Sequence, residues 1–219
     1  MERKQFIVIG MGRFGQSVAR CLTAMGKEVL AVDKGEENIN DIAPFVTHAV
    51  QADATDEKTL SALGLRNFDV AVVTIGDDIQ ASILVTLLCK ELGVGFVVAK
   101  AQSDLHAKVL LKIGADKVVF PERDMGMRLA HNLAAANVID YIQVSGDLSV
   151  LEVGALDIWA EKSLMDLDFR MKYGANVIAI KGKDGKLNTL PRGDDVIHKG
   201  DTLIVVGQAT DIARLEKVQ

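Results

Sequence analysis

The sequence predicts an α/β fold with a parallel sheet, followed by a smaller α+β domain. Two observations support this. Between residues 6 and 120, six short apolar runs alternate with longer segments of helical periodicity, the pattern of repeated strand–helix units. After residue 140 the apolar runs are short and strand-like, and turn residues separate them. We place the domain boundary at residue 139, giving a first domain of residues 1–139 and a second of residues 140–219.

Each predicted strand of the first domain is followed by a helix. The strands are Phe6–Ile9, Val29–Val32, Ala49–Gln51, Val70–Thr74, Phe96–Ala99 and Lys117–Phe120. The helices between them are Phe14–Met25, Glu36–Ala43, Glu57–Leu63, Ile79–Leu92 and Asp104–Ile113. Glycines follow four of these helices where the chain must turn with positive φ: Gly26, Gly64, Gly93 and Gly114. Six strands with intervening helices match a Rossmann-like doubly wound sheet.

The segment after residue 120 leads out of this sheet. From Pro121 to Ile142, helical spacing of the apolar residues predicts a crossover helix, on the positions Met125, Leu129, Leu133 and Val138. Short strands are then predicted in "VLEVGAL", "NVIAI" and "DTLIVVG", with Asp184-Gly185 as a hairpin turn. A helix over Asp211–Val218 closes the chain.

Composition excludes several classes of protein. An apolar share of 49% and a charged share of 25% are those of a globular protein with a buried core. The net charge of -5 and the pI near 5.4 disfavour a nucleic-acid partner. No apolar stretch reaches the roughly 20 residues that span a bilayer, and the N-terminus has no signal-peptide pattern. We therefore expect a soluble cytoplasmic protein, with any membrane attachment supplied by a partner.

Two cysteines are present, Cys21 and Cys89, both in helical segments among apolar neighbours. In a chain without a secretory signal, we expect two buried, reduced thiols in preference to a disulfide. We do not expect a catalytic role for either cysteine.

A glycine motif indicates a phosphate-binding turn at the start of the first domain. Gly10-x-Gly12-x-x-Gly15 follows a predicted strand and precedes a helix, and Asp33 ends the next strand, 23 residues after Gly10. The glycines allow a tight turn and a close approach of phosphate to a helix N-terminus. Asp33 would accept hydrogen bonds from a ribose diol and repel a 2′-phosphate, which disfavours NADP. NAD, ATP, ADP and AMP all remain open.

Arg13 lies inside the glycine motif, where many dinucleotide enzymes have a small or apolar residue. Its guanidinium is a bidentate, permanently charged donor, well suited to the terminal phosphate of a nucleotide. The alternative is an exposed arginine on the rim of a loop.

Further candidates follow the other strands, because ligands of such sheets bind at the carboxyl ends of strands. Asp53 would contact an adenine amino group or cap the next helix. Gly76 would allow a close backbone approach to the ligand, or is a plain loop glycine. Lys100 would hold phosphate charge or is solvated. A lone histidine such as His106 is more often structural than a ligand. Glu122 would bind Mg²⁺ or Ca²⁺ near the phosphates, or is an exposed first-turn glutamate.

Residues for catalysis are not apparent. Hydride transfer needs a proton-transfer group and a substrate pocket. The four histidines show no pairing or metal-ligand spacing, and the second domain has no cluster of His, Cys or acidic residues. A regulatory nucleotide-binding protein is therefore favoured over an NAD-dependent oxidoreductase with a small substrate. A scaffold whose nucleotide is only structural is the third possibility.

Several segments together resemble one family along nearly the whole chain. They are "FIVIGMGRFGQS", "VLAVDK", "THAVQADATDE", "LGLRNFDVAVVTIGDDIQASILVTLL", "VVAKAQ", "LLKIGADKVVFPERDMG" and "MKYGANVIAIK". The sequence is thereby similar to the RCK (KTN) regulatory subunits of bacterial potassium uptake systems of the Ktr type.

The resemblance implies a cytosolic ring, typically an octamer built from dimers. This ring docks on a membrane-embedded, KtrB-like potassium-translocating subunit at the inner face of the membrane. ATP and ADP compete for the crevice, ATP favours the active ring shape, and NAD and NADH have also been associated with the fold.

The resemblance also implies roles for residues of the crevice. Arg13 corresponds to the arginine that reaches the terminal phosphate of ATP, sometimes on a neighbouring subunit. Asp33 corresponds to the ribose-binding acid, and Glu122 to a glutamate implicated in a divalent-cation site. The matching motifs add the remaining nucleotide contacts: Phe14, Lys34, Asp53, Ala54, Ile75 and Gln102.

The second domain resembles the RCK C-terminal domain, which in several Gram-positive relatives binds cyclic di-AMP across a dimer interface and shuts the system down. By this resemblance Arg170 would contact phosphate, and Asn176 with Val177 would surround the base. Leu164 and Pro191 would form apolar walls. The alternative is a polar dimer rim that contains Arg170 and Asn176.

Overall fold

The computed structural model describes residues 4–134 and 137–215. The chain divides into two compact units, Met1–Pro121 and Glu122–Gln219. The boundary that the sequence suggests, at residue 139, stays a prediction. Within the described residues, none of the helices combines the length and the apolar character that a bilayer crossing requires.

The first unit contains a six-stranded parallel sheet. Its strands are β1 (Gln5–Ile9), β2 (Glu28–Asp33), β3 (His48–Gln51), β4 (Val70–Val73), β5 (Phe96–Lys100) and β6 (Lys117–Val119). The spatial order is β3-β2-β1-β4-β5-β6, and every neighbouring pair is parallel. The order reverses between β1 and β4, where a doubly wound sheet opens its ligand crevice. The predicted Rossmann-like sheet is confirmed.

Five helices connect these strands: α1 (Arg13–Ala24), α2 (Glu36–Ile42), α3 (Glu57–Ala62), α4 (Ile79–Glu91) and α5 (Asp104–Lys112). Each begins and ends within one residue of its predicted bounds. Two short 3₁₀ turns, Ala43–Phe45 and Leu65–Asn67, follow α2 and α3. The four predicted turn glycines all have positive φ, between 72° and 104°.

Both faces of this sheet are buried. Ile7 and Ile9 of β1 pack into one apolar cluster, and Val8 between them packs into another. Successive side chains of a strand point to opposite faces, so continuous apolar strands form when helices cover both sides. The sheet is therefore fixed between two helical layers, and its carboxyl edge presents loops to the ligand.

The two cysteines differ in burial. Both are free, and Cys89 is buried, as expected, but Cys21 is exposed. The prediction for Cys21 was wrong because α1 buries Gly15 and Ala19, and a residue two positions beyond Ala19 lies on the opposite face.

The second unit begins with a helix and continues into antiparallel strands. Its helices are α6 (Pro121–Ala134), α7 (Phe169–Tyr173) and α8 (Ala209–Leu215). Its strands are β7 (Val138–Ser145), β8 (Leu148–Gly154), β9 (Lys162–Ser163), β10 (Ala175–Lys181), β11 (Leu187–Asn188), β12 (Val196–Ile197) and β13 (Thr202–Gln208). A five-stranded sheet has the order β11-β10-β13-β8-β7, and β12 pairs with β9.

The predictions for this unit hold in part. The Asp184-Gly185 turn joins β10 to β11, with Gly185 at φ 84°. The crossover helix ends at Ala134, and Val138 starts strand β7. The predicted helical continuation to Ile142 was wrong because β-branched residues dominate this stretch, and they favour a strand. Residues 216–218 of the predicted last helix lie outside the described residues.

Candidate functional site

A cavity of about 350 Å³ lies at the carboxyl edge of the parallel sheet. It is bounded by the ends of β1 and β2 and by the loops that follow β3 and β4. Of the predicted nucleotide-binding residues, eight line it: Gly10, Gly12, Asp33, Lys34, Asp53, Ala54, Ile75 and Gly76. Its position at the reversal of strand order is where such sheets bind their ligands.

The glycine turn forms one wall of the cavity. Gly10 has φ 100°, a conformation that side chains rarely tolerate, and its N–H donates to Val32 O at 2.8 Å. Gly15 packs so closely that an added Cβ would lie 1.9 Å from Gly10 O. At Gly12 an added Cβ meets nothing within 4 Å, because this glycine faces the cavity. Helix α1 begins directly afterwards, so its free N–H groups are available to an anion.

Asp33 is held in a fixed orientation at the end of β2. Its Oδ2 accepts a hydrogen bond from Met11 N at 2.5 Å. Its Oδ1 accepts from Gly35 N at 2.7 Å and from Asn38 Nδ2 at 3.2 Å. A carboxylate oxygen accepts more than one hydrogen bond, so capacity remains for the hydroxyls of a ribose. This carboxylate is pre-organised to bind a sugar diol at the edge of the sheet.

Asp53 forms a local turn and does not cap the next helix. Its Oδ1 accepts from Thr55 N at 2.9 Å and from Thr55 Oγ1 at 2.7 Å, and these hydrogen bonds lower its pKa. The cap of α3 is Asp56, which accepts from Thr59 N. The capping alternative for Asp53 was therefore wrong, and its carboxylate lines the cavity.

Lys100 and Gln102 lie next to Gly76 at the rim of the cavity. A Cβ built on Gly76 would lie 3.4 Å from Lys100 Nζ, and Gln102 Nε2 donates to Gly76 O. His106 is buried behind this rim, where its Nδ1 accepts from Gln102 N at 3.4 Å. Burial lowers the pKa of His106, so the ring is neutral at pH 7. His106 contacts the rim through Gln102 and does not line the cavity.

The remaining predicted nucleotide contacts lie off the cavity lining. They are Arg13 and Phe14 in the first turn of α1, Gly15 beneath the turn, and Glu122 in the first turn of α6. The Arg13 side chain is exposed, and within residues 4–134 and 137–215 no carboxylate pairs with it. Across the same described ranges, no three His, Cys, Asp or Glu residues are grouped so as to hold a metal ion.

Sequence reasoning missed other residues of the lining: Asn38, Thr55, Thr74, Asp77 and Asp78. Asn38 follows Asp33 by five residues, a spacing that no motif marks. Thr74 Oγ1 donates to Gly10 O at 2.5 Å and thereby fixes the glycine turn to the end of β4. Asp78 caps α4 by accepting from Ala81 N at 2.9 Å, which a capping pattern would have identified.

The second unit has a groove of about 320 Å³ that contains all five residues predicted for a cyclic dinucleotide. They are Leu164, Arg170, Asn176, Val177 and Pro191. They come from α7, from β10, from the loop after β9 and from the loop before β12. Arg192, which the sequence did not single out, lines the same groove.

Comparisons with known proteins agree with both units. The chain matches the TrkA-N domain over residues 6–121 and the TrkA-C domain over residues 148–219. It is 51% identical to Ktr system potassium uptake protein C of Bacillus subtilis, covering 98% of this chain and 97% of that protein. It is 47% identical to Ktr system potassium uptake protein A of the same organism, covering 99% of this chain and 97% of that protein.

A similar fold occurs among solved structures. The GsuK channel bound to NAD superposes with a TM-score of 0.66 at 19% identity, over 98% of this chain and 39% of that one. At this identity the likeness shows the shared fold alone.

Proposed function

Since this chain belongs to the RCK (KTN) family of regulatory subunits of bacterial potassium uptake systems, we propose that it controls ion flux by binding nucleotides. ATP and ADP would compete for the cavity of the first unit, and each would stabilise the conformation that it contacts better. The role is regulatory and not catalytic.

The observation that carries this proposal is the fixed carboxylate of Asp33 opposite the glycine turn. Three donors hold it at the cavity edge, and the nearest of them, Met11 N, belongs to the turn itself. A ribose bound to Asp33 therefore has its 5′ phosphates directed at Gly10 and Gly12 and at the start of α1. This geometry supports an adenosine nucleotide with an unmodified 2′-hydroxyl.

The charge of the cavity supports a role for Arg13 at the terminal phosphate. Four carboxylates line the cavity, from Asp33, Asp53, Asp77 and Asp78, against a single ammonium from Lys34. Besides the N–H groups at the start of α1, further cations that approach this cavity would stabilise added phosphate charge. Arg13 has an exposed guanidinium at the start of α1, and we infer that it contacts the last phosphate of ATP, in the same subunit or in a neighbouring one.

A divalent cation would also stabilise the negative charge of the phosphates. We infer from the resemblance that Glu122 is a ligand of Mg²⁺ or Ca²⁺, with a nucleotide and water supplying the other oxygen ligands. This chain's own contribution is the carboxylate of Glu122, in the first turn of α6, three residues after β6 ends.

We infer that the regulated partner is a KtrB-like, membrane-embedded subunit, on which a ring of this chain docks from the cytoplasm. The family membership supports a membrane transporter as partner. An octameric ring built from dimers is the assembly that we expect.

We propose a second ligand, cyclic di-AMP, in the groove of the second unit, where it would inhibit transport. What supports this is that Arg170, Asn176 and Val177 surround one groove together with the apolar Leu164 and Pro191. The guanidinium suits a phosphodiester, and the apolar walls suit an adenine ring.

The proposal is tested by ligand-dependent stability and particle size. Thermal unfolding and light scattering are measured with ATP, ADP, AMP, NAD, NADH and cyclic di-AMP. Stabilisation follows affinity by mass action, and we expect ATP and ADP to raise the melting temperature more than AMP or NADH. A stronger effect of NADH, together with its oxidation by a small substrate, would favour the NAD-dependent oxidoreductase. A particle unchanged between ATP and ADP would favour a structural nucleotide.

A further inference from the structure

The groove of the second unit contains a second arginine. We propose that Arg192 is a phosphate-binding residue that acts together with Arg170, so that two guanidiniums of one chain bind the anionic dinucleotide. This inference deepens the proposed function, since it rests on a cyclic dinucleotide as the ligand of this groove. Arg170 belongs to α7 and Arg192 to the loop before β12, so the two charges come from independent elements.

The charges of these two arginines are available to a ligand. Arg128 and Arg214, elsewhere in this unit, pair with Asp140 and Asp211. Within the part of the chain that the structure describes, Arg170 and Arg192 have no such carboxylate partner. Asp168 also lines the groove, so the lining has two cationic side chains and one anionic side chain. The excess of positive charge favours an anion.

The backbone at Arg192 is held in place before any ligand binds. Arg192 N donates to Asp195 Oδ2 at 2.7 Å, and the same oxygen accepts from Asn188 Nδ2 at 2.9 Å. The next residue, Gly193, accepts a hydrogen bond from Met165 N at 2.7 Å, which joins this loop to the opposite wall of the groove. A fixed loop loses little conformational entropy when its side chain binds, so Arg192 is well placed to contribute to affinity.

The rest of the lining indicates what the two arginines bind. Leu164, Phe169, Val177 and Pro191 form apolar surface, and Asn176 supplies an amide. A planar base packs on such a surface, while each guanidinium offers two parallel donors to phosphate oxygens. A nucleotide with a phosphodiester beside its base fits this combination, and free inorganic phosphate would leave the apolar surface unused.

The test measures cyclic di-AMP binding by calorimetry to the full chain and to four variants: Arg192→Ala, Arg192→Lys, Arg170→Ala and Arg214→Ala. Charge-assisted hydrogen bonds are among the stronger ones in proteins, so Arg192→Ala and Arg170→Ala should each weaken binding about tenfold or more. Arg192→Lys keeps the positive charge but loses the two parallel guanidinium donors, so its loss of affinity should be smaller than that of Arg192→Ala. Arg214→Ala removes another exposed arginine of the same unit, outside the groove, and should bind like the unaltered chain.

Salt dependence separates phosphate contact from a structural role. Added salt screens charge pairs, so the affinity of Arg192→Ala should fall less steeply with salt than that of the unaltered chain. Unchanged affinity in Arg192→Ala, with normal binding by the unaltered chain, would overturn the role of Arg192 alone. An equal salt dependence in both proteins would also overturn it. No binding by the unaltered chain would overturn the cyclic di-AMP part of the proposed function as well.

Discussion

Replacing Gly15 by alanine should displace the glycine turn at Gly10–Gly12, because the added methyl group would clash with it. An added Cβ would lie 1.9 Å from Gly10 O and 2.6 Å from Thr74 Oγ1. Both are well inside van der Waals contact, and the closer atom is backbone that cannot rotate away. Either helix α1 moves away from the turn, or Gly10 O shifts and strains the hydrogen bond that it accepts from Thr74 Oγ1.

The magnitude follows from the kind of clash. An extra methyl group in a packed interior usually lowers the free energy of unfolding by about 1–3 kcal/mol. Because this methyl group meets rigid backbone, we expect a loss of about 3 kcal/mol. For a domain of this size that lowers the melting temperature by about 10 °C. Circular dichroism on heating measures this, and ATP should bind weakly because the turn is displaced.

Gly12→Ala is the matched control. Its φ of -67° suits any residue, and an added Cβ meets no protein atom within 4 Å. We expect its melting temperature to stay within about 2 °C of the unaltered chain, while ATP affinity falls because the Cβ occupies ligand space. Equal stability of Gly15→Ala and the unaltered chain, with equal ATP affinity, would refute this reasoning.

Three further predictions concern other parts of the chain. Asn38→Ala removes one donor to the ribose-binding carboxylate, so titrations should show ATP and ADP both weakened about two- to tenfold, at an unchanged ratio. Hydrogen bonding to Arg128 lowers the pKa of Asp140 from 3.8 to about 2. The folded state is thus favoured above pH 4, and this contribution is lost as the pH falls towards 2. Because solvent screens this partly exposed ion pair, urea unfolding at pH 5 should show Asp140→Asn modestly destabilised, and the difference should shrink as the pH falls through 2. A thiol reagent should modify only Cys21 in the native protein, because burial raises the pKa of Cys89 to about 12; modification of both before unfolding would contradict this.

The first unit was predictable from sequence because its local signals agree with one another. Most strands are short apolar runs, and a glycine with positive φ follows four of the five helices. The apolar run that ends in Asp33 predicts both the buried strand β2 and the acidic residue at its end. One stretch of sequence therefore predicts an element of the fold and a residue of the ligand site.

The second unit was predicted less well because its signals conflict. Leu129, Leu133 and Val138 continue a helical spacing, yet Val138 belongs to β7, where it pairs with Val153 of β8. The two-residue strands β9 and β12 exist only through their pairing with each other, more than 30 residues apart in sequence, which periodicity does not reveal.

Ligand-site residues were predictable where a sequence motif fixes the backbone. They were harder to predict where only the folded chain brings the residues together. Asp33 and Gly10 follow from spacing. Asn38 and Arg192 reach their sites through hydrogen bonds formed only after folding, with Asp33 and Asp195.

The most direct test of the account compares the affinities of Arg13→Ala for ATP and ADP by calorimetry with those of the unaltered chain. Arg66→Ala, an exposed arginine of the same unit that lies outside the cavity, is the control. We expect Arg13→Ala to weaken ATP about tenfold or more and ADP much less, because only ATP has the terminal phosphate. Equal losses of affinity for both nucleotides, or no loss for either, would contradict the claim that the Arg13 guanidinium contacts the terminal phosphate of ATP.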